Sequence, residues 1–264
     1  MKLHKCRYMS LATMCSFETL ASDACKWPME IYWKIVEKME ALAKSVKKVR
    51  VTNPRGTDIT ADFDPLYAKL GVSRGSFQKG SMGVFPAGDS RMYPVVPDPV
   101  TFQPMPSGEG VIVFDGFYQY GLLAEPIRMS VEKGWVTKIE GGSEAKELAD
   151  YLSQYDNSLH FNEISWGHNP RMPLQLWDKM LIQANRASSV VHLGVGDALM
   201  DGGKICSKVK PAGSILYRPS LYLDQQPVVR DGRLLLLDDP EVIEVAARCG
   251  DPQRWLTELE VYGG

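Results

Sequence analysis

The sequence predicts an α+β fold in which a mixed, mainly antiparallel sheet is flanked by helices. Strand-like runs dominate the middle of the chain, hairpin turns outnumber the connections that could form parallel crossovers, and helical patterns are interspersed between the strands. The 264 residues allow one large domain with a short appendage, and an apolar content of 44% is enough for a sizeable core.

The first clear element is a helix that begins after Pro28. Proline suits a first helical turn, where its missing N–H group is not needed. Apolar residues then repeat at helical spacing: Ile31, Ile35, Met39, Leu42 and Val46. The preceding residues show no comparable pattern. We therefore divide the chain into a helical appendage, residues 1–47, whose first 27 residues are poorly specified, and a main domain, residues 48–264.

Strands and hairpins are predicted from alternating patterns and turn residues. Single strands are expected at residues 49–52, 56–63, 110–115, 161–164 and 190–195. Two hairpins are expected, one over residues 127–139 turning at Lys133-Gly134 and one over residues 221–237 turning at Asp231-Gly232. Residues 70–110 are dense in Gly, Pro and Ser and predict a long loop region.

Later helices are predicted from capping residues. Ser143 is expected to cap one helix, and the Asp-Pro pairs at 239–240 and 251–252 are expected to begin two short helices near the end of the chain. A further helix is expected over residues 174–186.

Composition excludes several classes of function. With 30 basic and 32 acidic residues the net charge is −2, so neither nucleic acid nor an anionic membrane is an expected partner. No apolar stretch approaches the ~20 residues of a membrane span, and no signal peptide is recognisable. The five cysteines form no C-x-x-C pair, which favours free thiols and a cytoplasmic location.

Few residues are candidates for metal or acid–base chemistry. Glu163 lies in an otherwise apolar strand, where a carboxylate must be paired, solvated or bound to metal. His192 lies within an apolar strand, and Glu109 lies at a loop-to-strand junction. Together they could hold a divalent cation. Each also has a plain structural interpretation: Glu163 could face water, His192 could be a hydrogen-bonded core histidine, and Glu109 could be an ordinary surface residue.

Four short motifs occur in the order found in one enzyme superfamily. They are GTDI at residues 56–59, PSGEG at 106–110, NEISWGHNP at 162–170 and VHLG at 191–194. In this order and spacing the chain resembles the carboxy-terminal domain of the thermophilic metallo-aminopeptidases, of the aminopeptidase T type, and of 2,5-dihydroxypyridine dioxygenases. The resemblance covers about residues 48–238. It implies an aminopeptidase T C-terminal-domain-like fold, with Glu109, Glu163 and His192 at metal-ligand positions.

Two departures from the family pattern argue against catalysis. Pro211 and Gly213 stand where the resemblance places a histidine and an aspartate ligand, and neither has a side chain that can bind metal. The amino-terminal domain that closes over the site in these enzymes has no counterpart ahead of residue 48. If the local alignment slips, Asp201 or Asp224 could supply the missing ligand, and an enzyme would be favoured again.

The truncated and degenerate pattern is similar to that of the paired peptide-binding proteins of crocagin biosynthesis. It implies a non-catalytic protein that binds a precursor peptide, has no cofactor and forms a homodimer. We expect Trp166, His168, Asn169 and Arg171 to line the peptide site, with a core position as the alternative for Trp166. The alternative is a metal-dependent aminopeptidase or dioxygenase-like enzyme with one divalent metal (zinc, manganese, cobalt or iron) in a reduced site.

Overall fold

The computed structural model describes residues 8–10, 17–64, 70–72, 82–84, 88–117, 120–172, 185–196, 212–216 and 218–259. Residues 174–184 of the helix predicted over residues 174–186 lie outside the described residues, as do Asp201 and Pro211. In the described part of the chain, 17 strands alternate with six α-helices and one 3-10 helix.

The helices and strands have the following bounds. The helices are α1 (Phe17–Ala21), α2 (Asp23–Lys26), α3 (Met29–Ala43), α4 (Ser143–Leu152), α5 (Pro240–Arg248) and α6 (Pro252–Leu256), with the 3-10 helix at Leu235–Asp238. The strands are β1 (Tyr8–Ser10), β2 (Lys48–Thr52), β3 (Asp58–Asp62), β4 (Gly71–Val72), β5 (Met82–Val84), β6 (Asp89–Met92), β7 (Val95–Pro97), β8 (Pro104–Pro106), β9 (Glu109–Phe117), β10 (Gly121–Glu132), β11 (Trp135–Glu140), β12 (Phe161–Gly167), β13 (Val191–Val195), β14 (Ala212–Ile215), β15 (Ser220–Leu223), β16 (Gln226–Arg230) and β17 (Arg233–Leu234).

Thirteen of the described strands form one sheet. Its main path runs β17-β16-β15-β2-β3-β9-β14-β13-β12-β6-β4, and β10 and β11 continue from the other edge of β9. Every pairing in this sheet is antiparallel, whereas β1 and β5 form a separate parallel pair. The predicted α+β class with a mainly antiparallel sheet is confirmed.

Part of this sheet closes on itself. From β9 one path leads through β14 and β13 to β12, and the other leads through β10 to β11. The gap is bridged where Trp135 of β11 pairs with His160, directly before β12, and where the amide of Val136 donates to the carbonyl of Leu159 at 2.8 Å. Gly134 also donates to the Gly108 carbonyl at 2.8 Å. Six of the described strands therefore form a closed barrel.

Turn residues set the hairpins that position this barrel. Lys133 and Gly134, with φ of 50° and 78°, connect β10 to β11, and Asp231 and Gly232, with φ of 48° and 84°, connect β16 to β17. Two successive residues with positive φ match the right-handed twist of the strands. Both predicted turns are confirmed. The single hairpin predicted over residues 221–237 is wrong, because Asp224 (φ 54°) already turns the chain between β15 and β16.

Helix α3 packs against the sheet. Ile31, Ile35 and Met39 are fully buried in the same apolar core as the strands, so the predicted helix is confirmed. It is shorter than predicted: it ends at Ala43, Leu42 is only partly buried, and Val46 lies beyond it. The domain boundary at residue 48 stays a prediction. Among the residues that the structure describes, no helix has the length and apolar character needed to cross a membrane.

Two of the three predicted helix caps are found. Asp239 and Asp251 accept hydrogen bonds from the first-turn amides of α5 and α6. Ser143 is instead the first residue of α4, and Gly142 occupies the capping position.

Candidate functional site

A polar face lies on strand β12, between its neighbours β13 and β6. Ser165 pairs with His192 of β13 on one side and with Arg91 of β6 on the other. Directly paired residues, and residues two apart on one strand, project from the same face of a sheet. Glu163 and Asp89 therefore share this face with Ser165, His192 and Arg91, and the strands bring together charged groups that are far apart in sequence.

Buried charges on this face form a network around Asp89, which is only 2% exposed. Arg91 Nη2 lies 2.7 Å from Asp89 Oδ2, and Arg186 Nη2 lies 3.6 Å from Asp89 Oδ1. Arg186 is held close because the amides of His168 and Asn169, just past β12, both donate to its carbonyl. A buried carboxylate thus faces two guanidinium groups, which compensates part of the desolvation penalty of all three.

The Glu163 carboxyl borders this network. Burial raises the pKa of Glu163 above its usual range; Arg91 and Arg186 oppose the rise, and Asp89 adds to it. When Glu163 is ionised, two carboxylates balance two guanidinium groups; when it is protonated, the network has one excess positive charge. The charge of the polar face therefore depends on the proton at Glu163.

His168 is fully buried beside the network. Among the described residues, neither ring nitrogen has a hydrogen-bond partner, and the Tyr32 ring lies 5.8 Å away between centroids. Burial lowers the pKa of His168 to about 4, although Asp89 opposes the shift. The imidazole is therefore neutral across the physiological range.

Replacing His168 with leucine should make the free energy of unfolding fall less steeply as the pH is lowered. The folded-state pKa lies below the unfolded value, so this group's contribution is complete above the unfolded pKa of about 6.5 and is lost as the pH falls towards the folded pKa. Over that window the wild type should lose about 3 kcal/mol that the His168→Leu variant keeps. Urea unfolding at several pH values measures this difference.

Glu163→Gln provides a control of opposite sign. A carboxyl with a raised folded-state pKa stabilises the protein at low pH, and this contribution is lost as the pH rises through that pKa. The Glu163→Gln variant should therefore lose more stability than the wild type on acidification. Identical pH dependence of His168→Leu and the wild type would contradict the proposed neutral, buried imidazole.

The structure brings together two of the three predicted metal ligands. Glu163 lies opposite Gly194, and His192 is two residues from Gly194 on the same face. Glu109 is exposed at the start of β9, and its Oε1 accepts a hydrogen bond of 2.9 Å from the amide of Lys133. Among the described residues, no group of three or more His, Cys, Asp or Glu side chains could hold a metal ion.

Gly213, which stands where the resemblance places an aspartate ligand, lies in the same cross-strand row of paired residues as Glu163. Gly213 of β14 pairs with Gly194, which in turn pairs with Glu163, so the row next to the carboxylate contains two residues without side chains. Asp224, the alternative ligand, instead accepts hydrogen bonds from the amides of Lys47 and Lys48 at 3.1 and 2.9 Å. Of the ligand positions that the resemblance implies, the described residues therefore place Glu163 and His192 on this face, whereas Glu109 and Asp224 bind backbone amides elsewhere.

Three of the predicted peptide-lining residues are buried. Trp166 and His168 are 0% exposed and Asn169 is 1% exposed. Asn169 Nδ2 donates to the carbonyl of Ala24 at 2.9 Å, so a segment of the appendage covers this end of β12. In this structure the three side chains are therefore closed to solvent, and the expectation that they line a peptide site stays a prediction. Sequence alone did not show that the region around residue 24 packs here.

Arg171, the fourth predicted residue, does bind polypeptide, but of its own chain. Its Nη1 donates to the carbonyl of Thr257 at 3.2 Å, and the amide of Leu259 donates to the carbonyl of Pro170 at 3.1 Å. Thr257 has extended backbone angles, with φ −79° and ψ 123°. The segment after α6 thus lies as a short extended peptide along the loop that follows β12.

The side chain between these two contacts is anchored in a polar pocket. Glu258 Oε1 accepts a hydrogen bond of 2.5 Å from Ser188 Oγ, and Oε2 lies 3.2 Å from Arg233 Nη1. Only 17% of the Glu258 side chain is exposed. Burial raises its pKa, and the Ser188 hydroxyl and Arg233 oppose the rise. A single carboxylate therefore fixes the position of the segment.

Sequence reasoning missed Asp89, Arg91, Arg186 and Glu258. Asp89 and Arg91 are two apart, which places both on one face of a strand, but they fall within the stretch predicted as loop. The only sequence signal for this strand was Gly88, which directly precedes it. The sequence contained no signal for Arg186 and Glu258, whose partners lie far away along the chain.

Comparisons with known proteins agree with this architecture. The profile of the 2,5-dihydroxypyridine 5,6-dioxygenase family matches residues 24–194, well over half of the chain. The solved structure of 2,5-dihydroxypyridine dioxygenase from Pseudomonas putida KT2440 has a TM-score of 0.70 at 23% identity, over 85% of this chain and 63% of that chain. AmpT from Thermus thermophilus has a TM-score of 0.58 at 14% identity, over 81% of this chain and 56% of that chain.

At these identities the two structures show a shared fold. The chain spans less than two thirds of the length of either one. No curated protein shows a significant match.

Proposed function

Since the chain belongs to the 2,5-dihydroxypyridine 5,6-dioxygenase family, we propose that it uses the family fold as a non-catalytic peptide-binding protein. Its partner is a precursor peptide of ribosomal natural-product biosynthesis. The observation that carries the proposal is the extended Thr257–Leu259 segment, because a surface beside the polar face already binds polypeptide through backbone groups and one anchored side chain. The resemblance to the crocagin proteins supports the choice of partner.

The polar face supports the non-catalytic part of the proposal. Asp89 compensates part of the charge of Arg91 and Arg186, and the Glu163 carboxylate balances the remainder when it is ionised. Gly213 contributes no side chain to the row that contains Glu163. Such a network fills the space between β6 and β12 with paired charges. Within the described residues, it does not offer a metal the three or more ligands that an open catalytic site needs.

A metal-dependent dioxygenase or aminopeptidase is the second candidate. The observation in its favour is that Glu163 and His192 share one face, in a family named for a dioxygenase. With one divalent cation, these two residues would need a further ligand from outside the described residues. The cation would supply a Lewis acid for substrate activation.

Metal content separates the two candidates. The protein, expressed with zinc, manganese, cobalt or iron supplied separately, should purify folded and without stoichiometric metal, and should bind candidate precursor peptides in calorimetric titrations. The Glu244→Ala variant is a matched control because the Glu244 side chain is 70% exposed and is not among the implied metal ligands. Stoichiometric metal that is lost in Glu163→Ala and His192→Ala, but kept in Glu244→Ala, would overturn the non-catalytic proposal.

A further inference from the structure

We propose that the surface formed by Pro170, Arg171, Ser188 and Arg233, here termed the tail cradle, is a peptide site. The chain's own Thr257–Leu259 segment, here termed the tail, occupies it in this structure. The external ligand of the tail cradle is an extended peptide with a glutamate or aspartate at the centre of the bound stretch. The inference rests on the proposed function and assigns to it a site and a class of ligand.

The backbone contacts accept many sequences. Thr257 is bound through its carbonyl and Leu259 through its amide. In an extended chain, residues two apart direct these backbone groups to the same side. A peptide of any sequence without proline at the second of these positions can make both hydrogen bonds, which is how extended peptides gain affinity in strand-addition sites.

The carboxylate pocket supplies the selectivity. Ser188 and Arg233 both contact Glu258, at 2.5 and 3.2 Å. A neutral side chain at this position would leave Nη1 of Arg233 and the hydroxyl of Ser188 without a charged acceptor, whereas a carboxylate forms charge-assisted hydrogen bonds with both. The tail cradle therefore favours an acidic residue between two backbone contacts.

The pocket is held in place by groups outside the tail. Asp238 binds Arg233 through two hydrogen bonds, from Nε at 3.0 Å and from Nη2 at 2.6 Å, which leaves Nη1 directed at Glu258. The amide of Ser188 donates to the carbonyl of Asn169 at 3.2 Å. Because these contacts do not involve residues 257–259, the cradle keeps its shape when the tail leaves, and preorganisation of this kind favours binding.

The tail can leave without unfolding a helix. Helix α6 ends at Leu256, and its C-terminal cap is closed by the amide of Thr257 on the carbonyl of Gln253. A tethered segment acts at a high effective concentration, so it competes strongly with a free peptide. External peptides should therefore bind the wild type weakly and bind better once the tail is loosened.

The experiment uses a fluorescein-labelled synthetic peptide with the sequence of residues 256–262, LTELEVY, and full-length protein. In anisotropy titrations, Glu258→Gln should bind this probe about tenfold more tightly than the wild type, because the tail loses its charge-assisted hydrogen bonds. Glu244→Gln is the matched control, since Glu244 is 70% exposed in a surface pair with Arg248. It should behave as the wild type does.

Two further titrations test the pocket itself. A probe with glutamine in place of its first glutamate, and an Arg233→Ala change in the Glu258→Gln protein, should each abolish the gain. Equal binding of the probe by Glu258→Gln and the wild type, or a gain that survives Arg233→Ala, would overturn the inference. If Glu258→Gln does not fold, Leu259→Pro, which removes the tail amide that donates to the Pro170 carbonyl and leaves the cradle residues unchanged, tests whether loosening the tail strengthens binding of the probe.

The outcome for the tail cradle is separable from that for the proposed function. If the probe binds the loosened cradle but no precursor peptide binds the protein, the proposed function fails and the inference stands. If precursor peptides bind the wild type and Glu258→Gln equally, the peptide-binding function stands and the cradle is not its site.

Discussion

Replacing Asp89 with asparagine should destabilise the protein by about 3–5 kcal/mol, the usual effect of removing one partner from a buried ion pair. Arg91 and Arg186 would lose their shared counter-charge, and Arg186, with a side chain only 3% exposed, would not regain water in compensation. Chemical denaturation at neutral pH measures the loss. The missing counter-charge of two buried guanidinium groups should affect stability more than the small difference in side-chain shape between aspartate and asparagine.

An exposed ion pair provides the matched control. Asp58 binds Arg50 at 2.7 Å, and its side chain is 56% exposed. The same substitution, Asp58→Asn, should change the free energy of unfolding by at most about 1 kcal/mol, because water replaces the lost partner. If Asp89→Asn is no more destabilising than Asp58→Asn, then the buried network does not stabilise the polar face as described.

Gly167→Ala should have an effect of similar size for a steric reason. A Cβ atom built on Gly167 would lie 2.0 Å from the carbonyl oxygen of Ala187 and 2.5 Å from the carbonyl carbon of Arg186. These are backbone atoms, so the clash can be relieved only by moving residues 186–187 away from β12. We expect a loss of about 4 kcal/mol or more in the free energy of unfolding, a loss that single substitutions seldom cause.

Gly142→Ala tests whether any added methyl group has this effect. Its nearest contact would be the Glu125 carboxylate at 3.2 Å, the movable end of an exposed side chain. Gly142 precedes α4 as the capping residue, where alanine is less favourable than glycine by about 1 kcal/mol or less. Equal destabilisation by the two substitutions would contradict the close approach of residues 186–187 to β12.

Local signals predicted much of the fold. Positive-φ turns need residues such as the Lys-Gly and Asp-Gly pairs at 133–134 and 231–232, so both hairpin turns could be placed from sequence. The apolar stripe of α3 and the Asp-Pro starts of α5 and α6 are equally local. The closure of the barrel could not be predicted, because it depends on hydrogen bonds between β11 and the residues before β12 rather than on any pattern within one strand.

The candidate site was predicted only in part. Glu163 and His192 stood out because polar groups are unusual in apolar strands, and the structure places them on one face. Their neighbours Asp89 and Arg91 were missed because β6 is short and lies in a stretch without periodicity. The burial of His168 and Asn169 also escaped prediction, since the residues that contact them, Tyr32 and Ala24, lie far away along the chain.

The closed barrel has a consequence for the order in which the protein folds. Strand β9 pairs with β10 across a short connection, but it pairs with β14 only after about 100 intervening residues have been made and arranged. Closing a loop of that length before its contacts form is entropically unfavourable. The β9–β10–β11 meander should therefore gain protection from hydrogen exchange early in refolding, whereas the amides at the contact between β9 and β14 should gain it later. A polypeptide released before β14 is complete would keep the end of β9 around Gly116 and Phe117 unpaired along the edge that β14 covers.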